Sequence, residues 1–200
     1  EGRLTIVNGG PGAGKTILGM ELIVKGIEQG RAAVFISFEE TSEAMRRNAI
    51  SMGWDLAKME EAGQLAMINP KVNYGAVSAG DYNIEGLFAI LEGQARIINA
   101  NFIVIDAIDI LMNLFDNPKK ARNQLVALHR WLSEREFTAV LTVKSTHSHK
   151  HEFAYLDFMA DCVINMDQRV HEQITTRRLH VKKYRGSGFA SRENPFVISE

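Results

Sequence analysis

The sequence predicts an α/β fold with a mostly parallel central sheet, flanking helices and a C-terminal antiparallel β extension. Three observations predict it. Apolar strand-like runs alternate with helical patterns along most of the chain, as in a parallel sheet with crossover helices. The turn Gly9-Gly10-Pro11-Gly12-Ala13-Gly14-Lys15-Thr16 joins the first strand to the first helix and fits the G-x-x-x-x-G-K-[ST] phosphate loop. After about residue 160 the pattern changes, and residues 162–166 and 176–184 read as antiparallel strands closed by 196–198.

Each element has a local reason. Leu4-Thr5-Ile6-Val7 is a short apolar strand, and residues 17–27 repeat with helical spacing. Residues 32–38 form the second strand and end in Glu39-Glu40. Ser42 is placed to cap a helix over 43–52. A short helix at 55–61 and a strand at 65–68 follow. Residues 69–81 hold Pro70, Gly75 and Gly80 and read as a mobile loop. Residues 84–98 make an amphipathic helix. Phe102-Ile103-Val104-Ile105 is a buried strand ending in Asp106. Asn117 caps a helix with Pro118 in its first turn, and that helix ends near Glu134. Residues 137–143 are a further strand.

The chain has 200 residues, which suits one α/β domain over 1–200 with a sizeable core. The core reaches about residue 160, and the β extension follows. Hydrophobic content of 46% and charged content of 24% indicate a soluble globular domain. A net charge of −1 gives no general attraction to nucleic acid or anionic lipid. The charge is uneven, however. Residues 168–192 carry seven Lys/Arg against one acid, so the remainder sets 16 bases against 23 acids. Such a chain is suited to head-to-tail docking on copies of itself. Cys162 is the one cysteine, which fits a reducing, cytoplasmic compartment. No apolar run approaches the ~20 residues of a membrane span, and no signal peptide is visible. The chain opens on Glu1, directly before the first strand, and reads as a domain cut from a longer chain.

The chemistry centres on the glycine loop. Glycine allows positive φ and close approach to a ligand. Successive N–H groups then form an anion nest, and the following helix adds its N-terminal partial charge. The candidate nucleotide-binding residues are Gly10, Pro11, Gly12, Ala13, Gly14, Lys15, Thr16 and Ile17. Lys15 is expected to reach the β- and γ-phosphates and the Thr16 hydroxyl to ligate Mg²⁺, with ATP as the nucleotide. A plain strand-to-helix turn would not need glycine at 9, 10, 12 and 14.

Asp106 follows four apolar residues and so stands at the carboxyl end of a central strand, where open α/β sheets bind ligands. An acid there can hold Mg²⁺. Asp109 lies beyond the strand and ranks second. Glu39 and Glu40 end the strand after the loop, and adjacent strand residues point to opposite faces. One is expected to polarise the attacking water and the other to brace it or the metal. The reading takes Glu39 as base and Glu40 as a metal-side acid. A solvated acidic turn is the plainer alternative.

Several segments fall into one pattern. They are the loop 9–16, the run Phe35-Ile36-Ser37-Phe38-Glu39-Glu40, strand-end Asp106, and the tail Lys183-Tyr184-Arg185-Gly186-Ser187 with Pro195-Phe196-Val197-Ile198. Together they resemble the KaiC family, RecA-like ATPases that include the cyanobacterial circadian clock protein. The likeness runs over essentially the whole chain. It implies a RecA-like P-loop NTPase fold and a hexameric homo-oligomeric ring with ATP between subunits. It implies slow hydrolysis whose nucleotide state sets conformation and the binding of protein signalling partners. Lys183 and Arg185 match the Lys-x-Arg tail that reaches the neighbour's nucleotide. Alternation agrees, because i and i+2 share a strand face. Arg185 would then act as a finger in trans. A solvated basic edge strand is the other reading.

The chain departs from the family pattern in places. Gly188 and Phe189 follow Ser187, where relatives often carry His. Asp157 and Phe158 stand near the positions of the clock protein's Ser-Thr phosphorylation pair, just before Asp161, so self-phosphorylation there is not expected. Ala107 follows Asp106 where Ser is common. One domain is present, where clock proteins have two in tandem.

Other residues carry weaker signals. His147, His149 and His151 could share a strand face as metal ligands, but they read as a polar surface loop. Lys144 ends a strand and could sense phosphate. Trp54 and Trp131 read as core. Two further functions use the same loop: a Ser/Thr autokinase or protein kinase, and a RecA-like DNA-binding motor. The motor needs basic pore loops, and 69–81 carries only Lys71, so nucleic acid is not the expected partner.

Overall fold

The computed structural model describes residues 2–70, 84–115, 117–144, 154–171 and 174–198. In chain order these form β1 (Leu4–Gly9), α1 (Lys15–Glu28), β2 (Ala33–Ser37), α2 (Ser42–Ile50), α3 (Leu56–Glu61), β3 (Leu65–Ile68), α4 (Glu85–Ile97) and β4 (Phe102–Asp106). There follow α5 (Ile108–Met112), α6 (Pro118–Glu134), β5 (Thr138–Lys144), α7 (Ala154–Met159), β6 (Cys162–His171), β7 (Ile174–Tyr184) and β8 (Asn194–Phe196).

The strands lie in one sheet in the order β3-β2-β4-β5-β1-β6-β7-β8. From β3 to β6 every pairing is parallel, and β7 and β8 add antiparallel strands at one edge. β1 therefore sits inside the sheet, and its carboxyl end opens into the glycine loop. Alternation divides the core between two faces. Ile6, Ile36, Ile105 and Leu141 pack beneath α4, α5 and α6, with Leu91, Leu111 and Leu125. Val7, Phe35 and Val104 point the other way, against Met20, Ile23 and Ile27 of α1. α1 lies close to the sheet: a Cβ on Gly19 would stand 3.1 Å from Val104 Cγ1.

Most expected elements are present, with four corrections. First, β6 is antiparallel to β7 as expected, but it also belongs to the parallel sheet. It pairs parallel with β1, Val163 beside Ile6 and Met166 beside Gly9, and both of those residues are buried. Burial on both faces explains its apolar start. Its polar second half runs past the end of β1, and the whole strand from Cys162 to His171 pairs antiparallel with β7. Second, the cap of α2 is Thr41, whose hydroxyl accepts from Ala44 N, and not Ser42. Third, the closing strand is β8 at Asn194–Phe196, two residues earlier than 196–198. Fourth, α5 and α7 went unforeseen: they are five and six residues long, too short to show a period, and neither is preceded by a capping residue such as the Asp55 before the equally short α3.

Asn117 and Pro118 do start α6, and the Asn117 side chain accepts from Lys119 N. Trp131 is core, stacked on Phe88 with ring centroids 4.8 Å apart, and Trp54 packs partly buried on the α1 side. Only Asn69 and Pro70 of the expected loop 69–81, and none of His147, His149 and His151, fall among the described residues. Among the described residues no helix is long and apolar enough to cross a membrane.

Candidate functional site

The carboxyl ends of β1, β2, β4 and β5 meet at one edge of the sheet. Parallel pairing aligns those ends, so residues far apart in sequence converge there. Between β1 and α1 the loop takes left-handed backbone at Gly12 (φ 74°) and Gly14 (φ 97°). Both positions are also crowded by the C-terminal strands. A Cβ on Gly12 would lie 2.9 Å from Gln168 Oε1, and one on Gly14 would lie 3.0 Å from Ile198 Cδ1. A side chain at either place would meet a backbone penalty, and at Gly14 the Ile198 side chain would also have to give way.

The loop borders a cleft of about 580 Å³. Pro11, Gly12, Gly14, Lys15, Thr16 and Ile17 line one side, with Glu39, Glu40, Lys144, Arg177 and Ile198 around them. Gly10 contributes its carbonyl, which accepts from Lys15 Nζ at 3.1 Å. The Ala13 methyl turns into the core. Burial lowers the Lys15 pKa, against the pull of Asp106, Glu39 and Asp109. The lysine is thus a cation short of solvent, beside three acids.

Asp106 is only 1% exposed, yet both of its oxygens are satisfied. Thr16 Oγ1 donates to Oδ2 at 2.9 Å, and Thr142 Oγ1 donates to Oδ1. Burial pushes the Asp106 carboxyl pKa up, and the two hydroxyl bonds and Lys15 oppose that shift. Asp109 is also buried. It accepts from Lys144 N at 2.9 Å and so ties α5 to the end of β5.

Glu39 and Glu40 lie in the bend that follows β2, past its end at Ser37, and their carboxylates have different surroundings. Glu39 senses the loop side of the cleft. Desolvation raises its pKa most, Asp106 and Asp109 add to the rise, and Lys15 and Lys144 oppose it. The Glu40 carboxylate instead accepts from Asn48 Nδ2 of α2 at 3.1 Å. The turn that carries the pair is pinned. Glu40 N donates to Ser37 Oγ, and Asn69 Nδ2 donates to the carbonyls of Ser37 and Glu40.

Lys183 and Arg185 do not join this cluster in the same chain. Lys183 pairs with Val163, which lies beside Ile6, three residues before the loop begins. Both cations sit instead on the last carbonyls of α7. They do share a face, as alternation predicts.

Four residues that touch the loop or Asp106 escaped the sequence reading. Arg177 Nε donates to Gly12 O at 3.1 Å, yet in sequence it is one of seven cations in a basic segment. Gln168 and Ile198 reach the loop only through the β6–β7–β8 register. Thr142 could have been found, as a polar residue inside the apolar strand 137–143.

An oxygen set of one hydroxyl and one carboxylate fits a hydrated Mg²⁺ that takes its other ligands from phosphates and water. Among the described residues no group of three or more His, Cys, Asp or Glu is assembled as a metal cage.

Comparison with known proteins bears on the whole chain. The family model "ATPase: KaiC" matches residues 1–200. The circadian clock protein KaiC2 of Synechocystis is 33% identical over all of this chain, which covers 36% of that protein. KaiC3 of the same organism is 28% identical over 98% of this chain and 40% of its own length. The chain thus spans well under half of those curated relatives. The crystal structure of a KaiC-like protein from Pyrococcus horikoshii superposes with a TM-score of 0.87 and 28% identity, over 100% of this chain and 87% of that one. The sheet, its antiparallel edge and the loop are those of a RecA-like P-loop NTPase, and the chain belongs to the KaiC ATPase family.

Proposed function

We propose that this domain binds Mg-ATP and hydrolyses it at the interfaces of a homo-oligomeric, hexameric ring, and that the nucleotide state sets ring conformation and the binding of protein partners. The observation that carries the reading is the bond from Thr16 to Asp106, made at the mouth of the glycine loop beside Lys15. It supports the reading because a hydroxyl and a carboxylate stand together beside the loop proposed to hold the β- and γ-phosphates.

Roles follow from position. The loop N–H groups and the start of α1 bind the phosphates. Thr16 and Asp106 are the residues that would hold Mg²⁺, with Glu40 on its outer side. Bound there, the ion would offset charge on the phosphate oxygens. Lys15 contributes a cation that burial keeps from solvent. Glu39, whose carboxyl is held above the ordinary range, takes up or orients the proton of the attacking water. Lys183 and Arg185 act on the nucleotide of the next subunit. Catalysis rests on positioning and charge.

Phosphate release from Mg-ATP tests the reading. Wild type is expected to release phosphate, Lys15→Ala to lose nucleotide binding, and Glu39→Gln to bind nucleotide while turnover drops about 100-fold. Wild-type release matched by Lys15→Ala would overturn it.

A further inference from the structure

The C-terminal turn of α7 joins two parts of the molecule that the fold otherwise separates. Its last carbonyls face away from the helix and need donors. Lys183 Nζ donates to Asp157 O at 2.8 Å and Phe158 O at 3.2 Å. Arg185 donates through Nη2 to Phe158 O at 2.6 Å, and through Nη1 to Met159 O and Asp161 Oδ1, both at 3.5 Å. The cations also answer the negative end of the helix.

The Asp157 carboxylate extends this platform inward. Oδ2 takes Lys182 Nζ at 2.6 Å. Oδ1 accepts from Asn8 Nδ2 at 3.3 Å. Asn8 is the β1 residue directly before Gly9, and it also donates to Asn165 Oδ1 of β6 at 3.2 Å. The Asp157 side chain is 22% exposed, so water screens it less than it screens a surface pair. One carboxylate therefore ties the strand that feeds the phosphate loop to the segment that bears Lys183 and Arg185.

We infer that Asp157 is a positioning residue for the cation pair: it fixes the α7 platform on which Lys183 and Arg185 are presented to the neighbouring subunit, and it anchors that platform to the subunit's own phosphate-loop strand. The inference rests on the proposal that this pair acts in trans. Without Asp157, the helix end loses its bonds to Asn8 and Lys182, and the carbonyls that orient the cations are no longer held.

Complementation by mixing separates the possibilities. Asp157→Ala has an intact loop and misplaced cations. Lys15→Ala has a disabled loop and intact cations. Asp157→Ala alone is expected to lose about 10- to 100-fold in phosphate release, the cost of a small misplacement of catalytic groups. Mixed with Lys15→Ala it is expected to recover activity, because its loops are then served by the other variant's cations. Asp157→Asn keeps one acceptor oxygen, enough for Asn8 or Lys182 but not both, and is expected to lose less than Asp157→Ala. Should Asp157→Ala fail to fold, Lys182→Met carries the same test, with a smaller loss that mixing restores.

The parallel mixture of Arg185→Ala with Lys15→Ala tests the underlying reading by itself. If that mixture recovers and the Asp157→Ala mixture does not, Asp157 serves its own loop and the inference fails. If neither recovers, the trans reading fails and takes the inference with it. A rate for Asp157→Ala within about twofold of wild type also overturns it.

Discussion

Thr16 and Asp106 are 90 residues apart in sequence and 2.9 Å apart in space. The bond links the first turn of α1 to the end of β4. It holds only because β1 and β4 lie parallel with β5 between them. Thr142 completes the arrangement from β5, so each oxygen of one buried carboxylate accepts from a different threonine hydroxyl. The grip leaves the carboxylate aimed at the loop and not free to rotate.

Thr16→Val removes one of these hydroxyls and, in the proposed site, the hydroxyl ligand to Mg²⁺. Nucleotide binding is expected to weaken about tenfold with Mg²⁺ present, the worth of one charge-assisted hydrogen bond. With EDTA the two proteins should bind nearly alike. Titration of a fluorescent ATP analogue with and without Mg²⁺ measures this.

Thr142→Val leaves Asp106 Oδ1 buried without a donor. Thr142 is 0% exposed, and water has no route to replace it. The expected loss is about 1–3 kcal/mol of stability, read by urea unfolding. Thr142→Ser keeps the donor and should lose far less.

Glu39 gives a stability test with a definite sign. Its carboxyl pKa is raised by desolvation and by Asp106 and Asp109. A group with a raised folded pKa binds protons more readily when folded, so the fold loses stability as pH climbs through that range. Glu39→Gln removes the loss. Without nucleotide, the variant should melt above wild type at pH 8, and the two should converge toward pH 4, where Glu39 is neutral. A gain that grows as pH falls would contradict the assigned cause.

Arg177→Ala deletes the bond from β7 to the Gly12 carbonyl. The loop then loses one of the contacts that hold its left-handed turn. Nucleotide affinity is expected to fall about 3- to 10-fold, in line with one hydrogen bond, with oligomeric state unchanged. Calorimetric titration and light scattering measure the two quantities.

What the sequence disclosed was what is local. The order β1, glycine loop, α1 is contiguous, and its residue types follow from the geometry the loop must adopt. Asn117-Pro118 announced the start of α6 because a cap and a fixed φ are properties of single residues. Glu39 and Glu40 were legible as acids near a strand end, but β2 stops at Ser37, so the bend and the Asn48 bond, not strand alternation, set their different surroundings. The placement of β6 was hidden, because a parallel neighbour is a choice made by the whole sheet. Arg177 meets Gly12 across 165 positions, and nothing near Arg177 announces that partner. The shared face of Lys183 and Arg185 was legible. The platform beneath them was not, since α7 is six residues long and its Asp157 gains meaning only from Asn8 and Lys182.

The most direct test of a shared active site uses Arg185→Ala and Lys15→Ala, each alone and mixed in varied ratios. Phosphate release from Mg-ATP is followed, and light scattering reports size. Each variant alone should assemble as wild type does and fall silent, and mixtures should regain activity with a maximum near equal proportions. Wild-type turnover by Arg185→Ala as a monomer would contradict the account and leave a nucleotide-binding domain that works within one chain.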